Sequence, residues 1–365
     1  MPEVLLGKHL PLDLAFHPTD PNFIAVCDIN GYVRGFNTQQ LEAPTYKQRH
    51  HKQSCRSIQF SADGKYLISA SADMSIKIVD IDSGKVVQHI VKAHSSAINT
   101  LQTLDAKLFA SGDDDGHVSV WDYRMKSSNA AVHQYHDNED YISDLCYVAT
   151  SKTLIAAGGD GYLSVFDIRK PTLLARSDNM ETEILSLASV KNTRKIVCGF
   201  EDGVCGIFSF GDWGDTSDRF PGHKESVDAM CGVDEETVCT GSMDGGVRMV
   251  SVLPNKLLGT IGEHSGPVEC VRSNCDSSMI ASIGHDNTLK FWSLADEEDD
   301  EIRDEDVDNN SLESADSDDS ADSDSPGRKR SQHKVPNQHS KKVKQTEQKN
   351  GRGAFFAGLE NTDSD

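Results

Sequence analysis

The stretch ASGDDDGHVSVWDYR, residues 110 to 124, carries three consecutive aspartates, a glycine, a histidine and a Trp-Asp pair. Clustered carboxylates can ligate a hard cation, and an Asp-Gly-His run can serve in proton transfer. The calcium reading fails on spacing: a loop opened at Asp113 needs a glutamate at its twelfth position, where Arg124 stands. His50-His51 is a second candidate metal pair, but one of the two falls in the register of a repeat described below. The chain has no serine nucleophile elbow, phosphate-cradling glycine loop, H-E-x-x-H or paired-cysteine zinc spacing. No catalytic, cofactor or metal residue is therefore assigned, and the chain is read as non-enzymatic.

The elements that hold these aspartates answer what they are for. Aligned on an aromatic residue or valine, the segments around Phe36, Val79, Trp121, Phe166, Phe208, Val250 and Trp292 repeat one pattern. Six residues before each stand Asn30, Asp73, Asp115, Asp160, Asp202, Asp244 and Asp286, spaced by 43, 42, 45, 42, 42 and 42. Seven units of that period, each with alternating apolar strands and tight turns, predict seven four-stranded propeller blades. A histidine lies 27 to 30 residues before the aromatic position at His9, His51, His94, His136, His223 and His264, and the fifth unit lacks it. The apolar run Val4-Leu5-Leu6 before His9 matches LLGTIGEH before His264, so the first residues are expected to complete the last blade and remove an open sheet edge.

With these markers the chain resembles the WD-repeat family, matching Gly-His at Gly222-His223 and Trp-Asp at Trp121-Asp122. The resemblance implies that each repeat's histidine and turn aspartate share a buried hydrogen-bond network with a Ser/Thr and the Trp. Asp115 is then a structural turn residue, with Asp113 and Asp114 as solvated turn surface. Trp121-Asp122-Tyr123-Arg124 also resembles the signature through which WD-repeat substrate receptors bind the damaged-DNA-binding adaptor of cullin-4 ubiquitin ligases. Phe166-Asp167-Ile168-Arg169 matches it with Phe for Trp. The plain alternative is that Arg124 and Arg169 pair with nearby acids on the surface.

Charge is unevenly distributed in a chain of net charge −22. Residues 296–326 hold sixteen carboxylates against one arginine, and 327–350 hold eight Lys/Arg against one glutamate, leaving residues 1–295 only mildly acidic at −12. The acidic stretch, with Ser314, Ser317, Ser320 and Ser323 among aspartates, is expected to be disordered, and reads either as a solubiliser or as a competitor for basic partners such as histones. Arg328-Lys329-Arg330 and Lys341-Lys342-Val343-Lys344 read as a bipartite nuclear localisation signal, with a weak RNA contact as alternative. Phe355, Phe356 and Leu359 in the terminal 351–365 segment read as a short docking motif, on the propeller or on another protein. The acidic body lacks the basic stripe that sequence-specific nucleic-acid binding requires. No apolar run reaches membrane-spanning length, and nine cysteines without any C-x-x-C pair are expected to be reduced core thiols of a soluble intracellular protein.

The whole chain resembles the WD repeat-containing protein 55 family, on HHKQSCRSIQFSADGKYLISASAD, NTLQTLDAKLFASGDDDGHVSVWDYR, EDYISDL, the DWGDTSDRF insertion and the tail ending in FFAGL. The resemblance implies a nuclear and nucleolar protein that scaffolds ribosome-assembly factors for ribosomal RNA production, a monomer within larger complexes. In some lineages it also implies the cullin-4 adaptor as partner. The expected fold class is all-β: a single seven-bladed WD-repeat β-propeller over residues 1–295 with a disordered acidic/basic C-terminal tail.

Overall fold

The structure is a computed structural model that describes residues 2–125 and 130–294. Every regular element among them is a strand. They form seven four-stranded antiparallel sheets, six of them running in chain order from the innermost strand outward and the seventh completed by the first strand of the chain. The innermost strands Pro11–Phe16, Cys55–Phe60, Ile98–Thr103, Ile142–Val148, Ile184–Val190, Ala229–Gly232 and Val268–Ser273 neighbour one another in sequence, and the last adjoins the first. This closes the ring of a seven-bladed propeller.

Closure comes from the chain's start. Glu3–Leu5 is the outermost strand of blade seven, with Glu3 opposite Lys290 and Leu5 opposite Thr288. Strands from the two ends of the propeller thus share one sheet, and the exposed edge of Thr288–Ser293 is covered.

Each blade has two apolar faces because its neighbours cover both, so central strands such as Leu163–Asp167 and Thr153–Gly158 read buried throughout. One apolar cluster lies at each blade-to-blade interface; Trp121 of blade three, for instance, packs among Ile68, Ala70 and Ile78 of blade two. Fully burying a side chain of this size contributes about 1.5–3 kcal/mol. Glycine is required where the second strand turns into the third: Gly116 has φ +80°, and a Cβ there would lie 2.6 Å from the Asn138 carbonyl oxygen of the next blade's entry loop. All nine cysteines are unpaired thiols, eight of them buried and Cys275 exposed. The sequence-based assignments to 296–326, 327–350 and 351–365, including Arg328, Lys329, Arg330, Lys341, Lys342, Lys344, Phe355, Phe356 and Leu359, lie outside the described residues.

Candidate functional site

The residues that looked most chemical hold blades together. In blade three, His94 Nδ1–H donates to Asp113 at 2.8 Å, and Ser111 Oγ–H donates to His94 Nε2 at 2.6 Å. The Trp121 indole N–H in turn donates to Ser111 Oγ at 2.8 Å. Blade seven repeats the chain of bonds with His264, Asp286, Ser282 and Trp292. Blade two keeps His51, Asp73 and Ser69 but has Val79 in place of the indole. Each polar group in these sets has its partner, which is the condition for tolerating it inside a protein.

Six assignments made from the sequence are corrected. Asp115 is not the partner of His94; Asp113 is, fully buried, while Asp115 uses its backbone N–H to cap Asp113 and Ser96. Asp114 is not plain solvated surface either, since Arg56 grips it at 2.9 Å. His136 does not anchor blade four: Asn138 takes that place and donates to Asp160 at 3.4 Å, while His136 stacks edge-on to His117. In blade one His9 meets Asn30 in a half-buried contact, and the interior position is filled by an Arg34–Asp28 pair at 2.8 Å with Arg34 also donating to the Leu6 carbonyl. His223 and Asp244 of blade six separate: His223 bonds Thr240 at 2.8 Å and Asp244 bonds Arg248. Asp202 in blade five is exposed and caps only its own turn, through Val204 N–H.

A sequence signal for these cases lies ten residues before the aromatic position. Blades two, three, six and seven carry Ser69, Ser111, Thr240 and Ser282 there, and each is hydrogen-bonded to a histidine. Blades one, four and five carry Val26, Ala156 and Cys198, and none of these has a buried histidine against it. In blade five Met180 fills the space and packs with Cys198 and Phe208. An imidazole needs a second polar partner, so a histidine without a Ser/Thr at that register belongs elsewhere.

His50 and His51 are both buried and engaged, His50 with Tyr46 Oη at 2.7 Å and Ser69 at 3.0 Å. Burial, with His51 and Lys77 nearby, pushes the His50 imidazole down to about 3. Among the described residues no group of three or more His, Cys, Asp or Glu is placed to hold a metal ion.

The axial channel encloses about 40 Å³, room for a water or two. Its polar lining ties blade to blade. Asp13 accepts from Ser57 Oγ and the Ile58 N–H, Asp144 accepts from the Leu187 N–H, and Ser186 donates to the Val227 carbonyl.

What remains for partners is the outer surface. Arg124 and Arg169 stand at equivalent strand ends of the adjacent blades three and four, both well exposed. Each guanidinium closes back on the aspartate two residues earlier: Arg124 to Asp122 at 2.9 and 2.6 Å, Arg169 to Asp167 at 2.7 and 2.9 Å. The Arg169 hydrogen bond pulls Asp167 down to about 2, and Arg124 lowers Asp122 in the same way. Trp121 and Phe166 are buried behind them and cannot face a partner directly. Tyr135 bridges blades three and four, its ring tilted by 30° against Phe166 at 4.2 Å and its hydroxyl donating to the Lys170 carbonyl at 2.8 Å. The DWGDTSDRF insertion folds as part of blade five, with Trp213 packed edge-on to Phe210 and Asp218–Pro221 as outer strand.

Comparison with known proteins fits this architecture. The family model WDR55 matches residues 2–296. WD repeat-containing protein 55 of Rattus norvegicus is 38% identical over 297 residues, covering 80% of this chain and 76% of the relative. The protein of that name from Arabidopsis thaliana is 36% identical over 295 residues, covering 80% and 82%. WD repeat-containing protein JIP5 of Coprinopsis cinerea is 35% identical over 309 residues, covering 80% and 74%. With its propeller matched throughout by that family, the chain belongs to the WDR55 family of WD-repeat proteins, and a role in protein–protein interaction follows from that membership.

Proposed function

We propose that this protein is a nuclear and nucleolar scaffold that assembles ribosome-assembly factors for ribosomal RNA production, acting as a monomer within larger complexes. The observation that carries this reading is the WDR55-family match across the whole propeller, joined to the resemblance stated from the sequence. The geometry supports a scaffold. The most polar residues of the repeats are consumed in holding blades, the polar lining of the axial channel ties blade to blade, and the protein presents loops and a rim. A fold of this kind gains function from what its surfaces bind. The basic clusters in 327–350 support entry into the nucleus.

The second reading, a substrate receptor of a cullin-4 ligase, needs Arg124 and Arg169 both exposed and free to reach an adaptor. They are exposed, but each fork is already spent on a neighbouring carboxylate, so adaptor binding has to compete with two charge-assisted hydrogen bonds per site. The discriminating experiment is a quantitative pull-down of tagged full-length protein from nuclear extract, comparing wild type with the Arg124→Ala, Arg169→Ala double variant. Recovery of ribosome-assembly factors with both and no cullin supports the scaffold. Recovery of cullin-4 and its adaptor with wild type only overturns it in favour of the receptor.

A further inference from the structure

Two departures from the repeat meet at the interface of blades one and two. At the position one before the aromatic, the units carry Ile78, Val120, Val165, Ile207, Met249 and Phe291, whereas blade one has Gly35. At the aromatic position itself blade two has Val79, where the indoles of Trp121 and Trp292 fill the interfaces of blades two/three and six/seven. Val250 of blade six is also small, but Phe220 packs against that interface and Ile207 occupies the register of Gly35. Only at the interface of blades one and two do both losses fall together.

At this interface lies a slot of about 230 Å³ lined by Phe23, Ala25, Gly35, Tyr46, Val79 and Ile81 among others, with the Phe23 ring lying over Gly35, 2.9 Å from where a Cβ would stand. Ala25 and Val79 form its buried floor, and the half-exposed Phe23, Tyr46 and Ile81 its mouth. A closed apolar cavity of about 150 Å³ accepts a benzene ring, so this one has room for an aromatic side chain. The lining offers little polar chemistry. The Tyr46 hydroxyl is turned to Gln48 and His50, each at 2.7 Å. An unsubstituted ring suits such a slot better than a phenol or indole, whose polar group would be buried without a partner.

We propose that this slot is the docking site for Phe355-Phe356 of the chain's own C-terminal segment. These are the only aromatic residues after Leu294, and with Leu359 they form the one place in 295–365 where three large apolar residues fall within five positions. Sixty residues separate Leu294 from Phe355. A random coil of sixty residues has a root-mean-square span of about 40–45 Å, and tethering of that kind raises the effective concentration of a linked group toward the millimolar range. Occupation restores the aromatic that blade two lacks.

The test uses the full-length protein with the photo-crosslinking analogue p-benzoylphenylalanine in place of Phe356, followed by mass spectrometry. The expected result is an intramolecular cross-link to peptides containing Phe23, Tyr46 or Ile81, reduced at least tenfold by Val79→Trp, which refills the slot from within. Cross-links to other parts of the propeller, to a second copy, or equal yield with Val79→Trp overturn the proposal. Should Val79→Trp misfold, amide exchange in the full-length Phe355→Ser, Phe356→Ser variant decides: the Thr45 N–H, bonded to the Gly35 carbonyl at the slot's edge, exchanges several-fold faster if the rings dock there. An unchanged rate overturns docking.

Discussion

Blades three and five solve one problem with opposite chemistry. Blade three spans its interior with a chain of bonds from Asp113 through His94 and Ser111 to Trp121. Blade five fills the corresponding space with Met180, Cys198 and Phe208, and its turn aspartate, Asp202, points to solvent. The second strands of the two blades are both six residues long and pair antiparallel with the first strand through the same one-residue register shift near its start. The blade is therefore specified by strand pairing and apolar packing, while the polar network is kept whole in blades three and seven, kept without the indole in blade two and replaced by apolar side chains in blade five. A change that leaves a buried polar group without a partner costs more than any of these versions.

The largest effect should come from breaking the blade-three set at its charge. His94→Met strips the buried Asp113 carboxylate of its 2.8 Å partner and leaves it the His117 imidazole at 3.4 Å and the Asp115 and His117 N–H groups, and the expected loss is about 3 kcal/mol. For a domain of this size that lowers the melting temperature by roughly 5 °C in a thermal scan; an unchanged midpoint would mean the network is ornamental. Ser111→Ala is next, stranding the Trp121 N–H and one His94 nitrogen at an expected cost of about 1–3 kcal/mol. The reciprocal change in blade five, Met180→His, places an imidazole against Cys198 and Phe208 with no hydroxyl at the required register. It is expected to cost about 2 kcal/mol and to be partly relieved by adding Cys198→Ser in a double-mutant cycle.

Acid should separate the blades more gently. His50 and His223 titrate near 3 and 4 in the fold, chiefly because burial disfavours the imidazolium, against an ordinary 6.5. The unfolded chain therefore takes up protons first as pH falls through 6.5. The stability from these groups is complete above 6.5 and is lost progressively toward 4 and 3. A fall of several degrees in melting temperature between pH 7 and 5 is expected, with a shallower slope in His50→Asn; a flat profile contradicts the neutral, buried assignment. The smallest effect is Asp202→Asn, where the exposed carboxylate caps one backbone N–H, and the expected change is within about 0.5 kcal/mol.

Blade number, phase and ring closure were legible in the sequence. They rest on local rules: alternation along a strand, a tight turn at a fixed offset from an aromatic, and an apolar run at the N-terminus that matches the one before His264. The sets inside the blades were legible only in part. Counting back from the aromatic selected Asp115, His9 and His136, whereas the folded chain uses Asp113, an Arg34–Asp28 pair and Asn138. The turn backbone is shared, and one or two residues along it decide which side chain points inward. The missing cue was compositional, since a buried imidazole demands a Ser or Thr ten residues before the aromatic.

Sequence by itself determined that this chain forms seven blades, because a 42-residue unit pairs its own strands whatever its neighbours are. Only the tertiary structure decided what passes between blades. Arg56 of blade two reaches Asp114 of blade three, and Gly35 and Val79, 44 residues apart, come to line one slot. Those outcomes depend on distances between side chains of different turns and blades, which become defined only when the ring closes and each apolar face must be covered by the next.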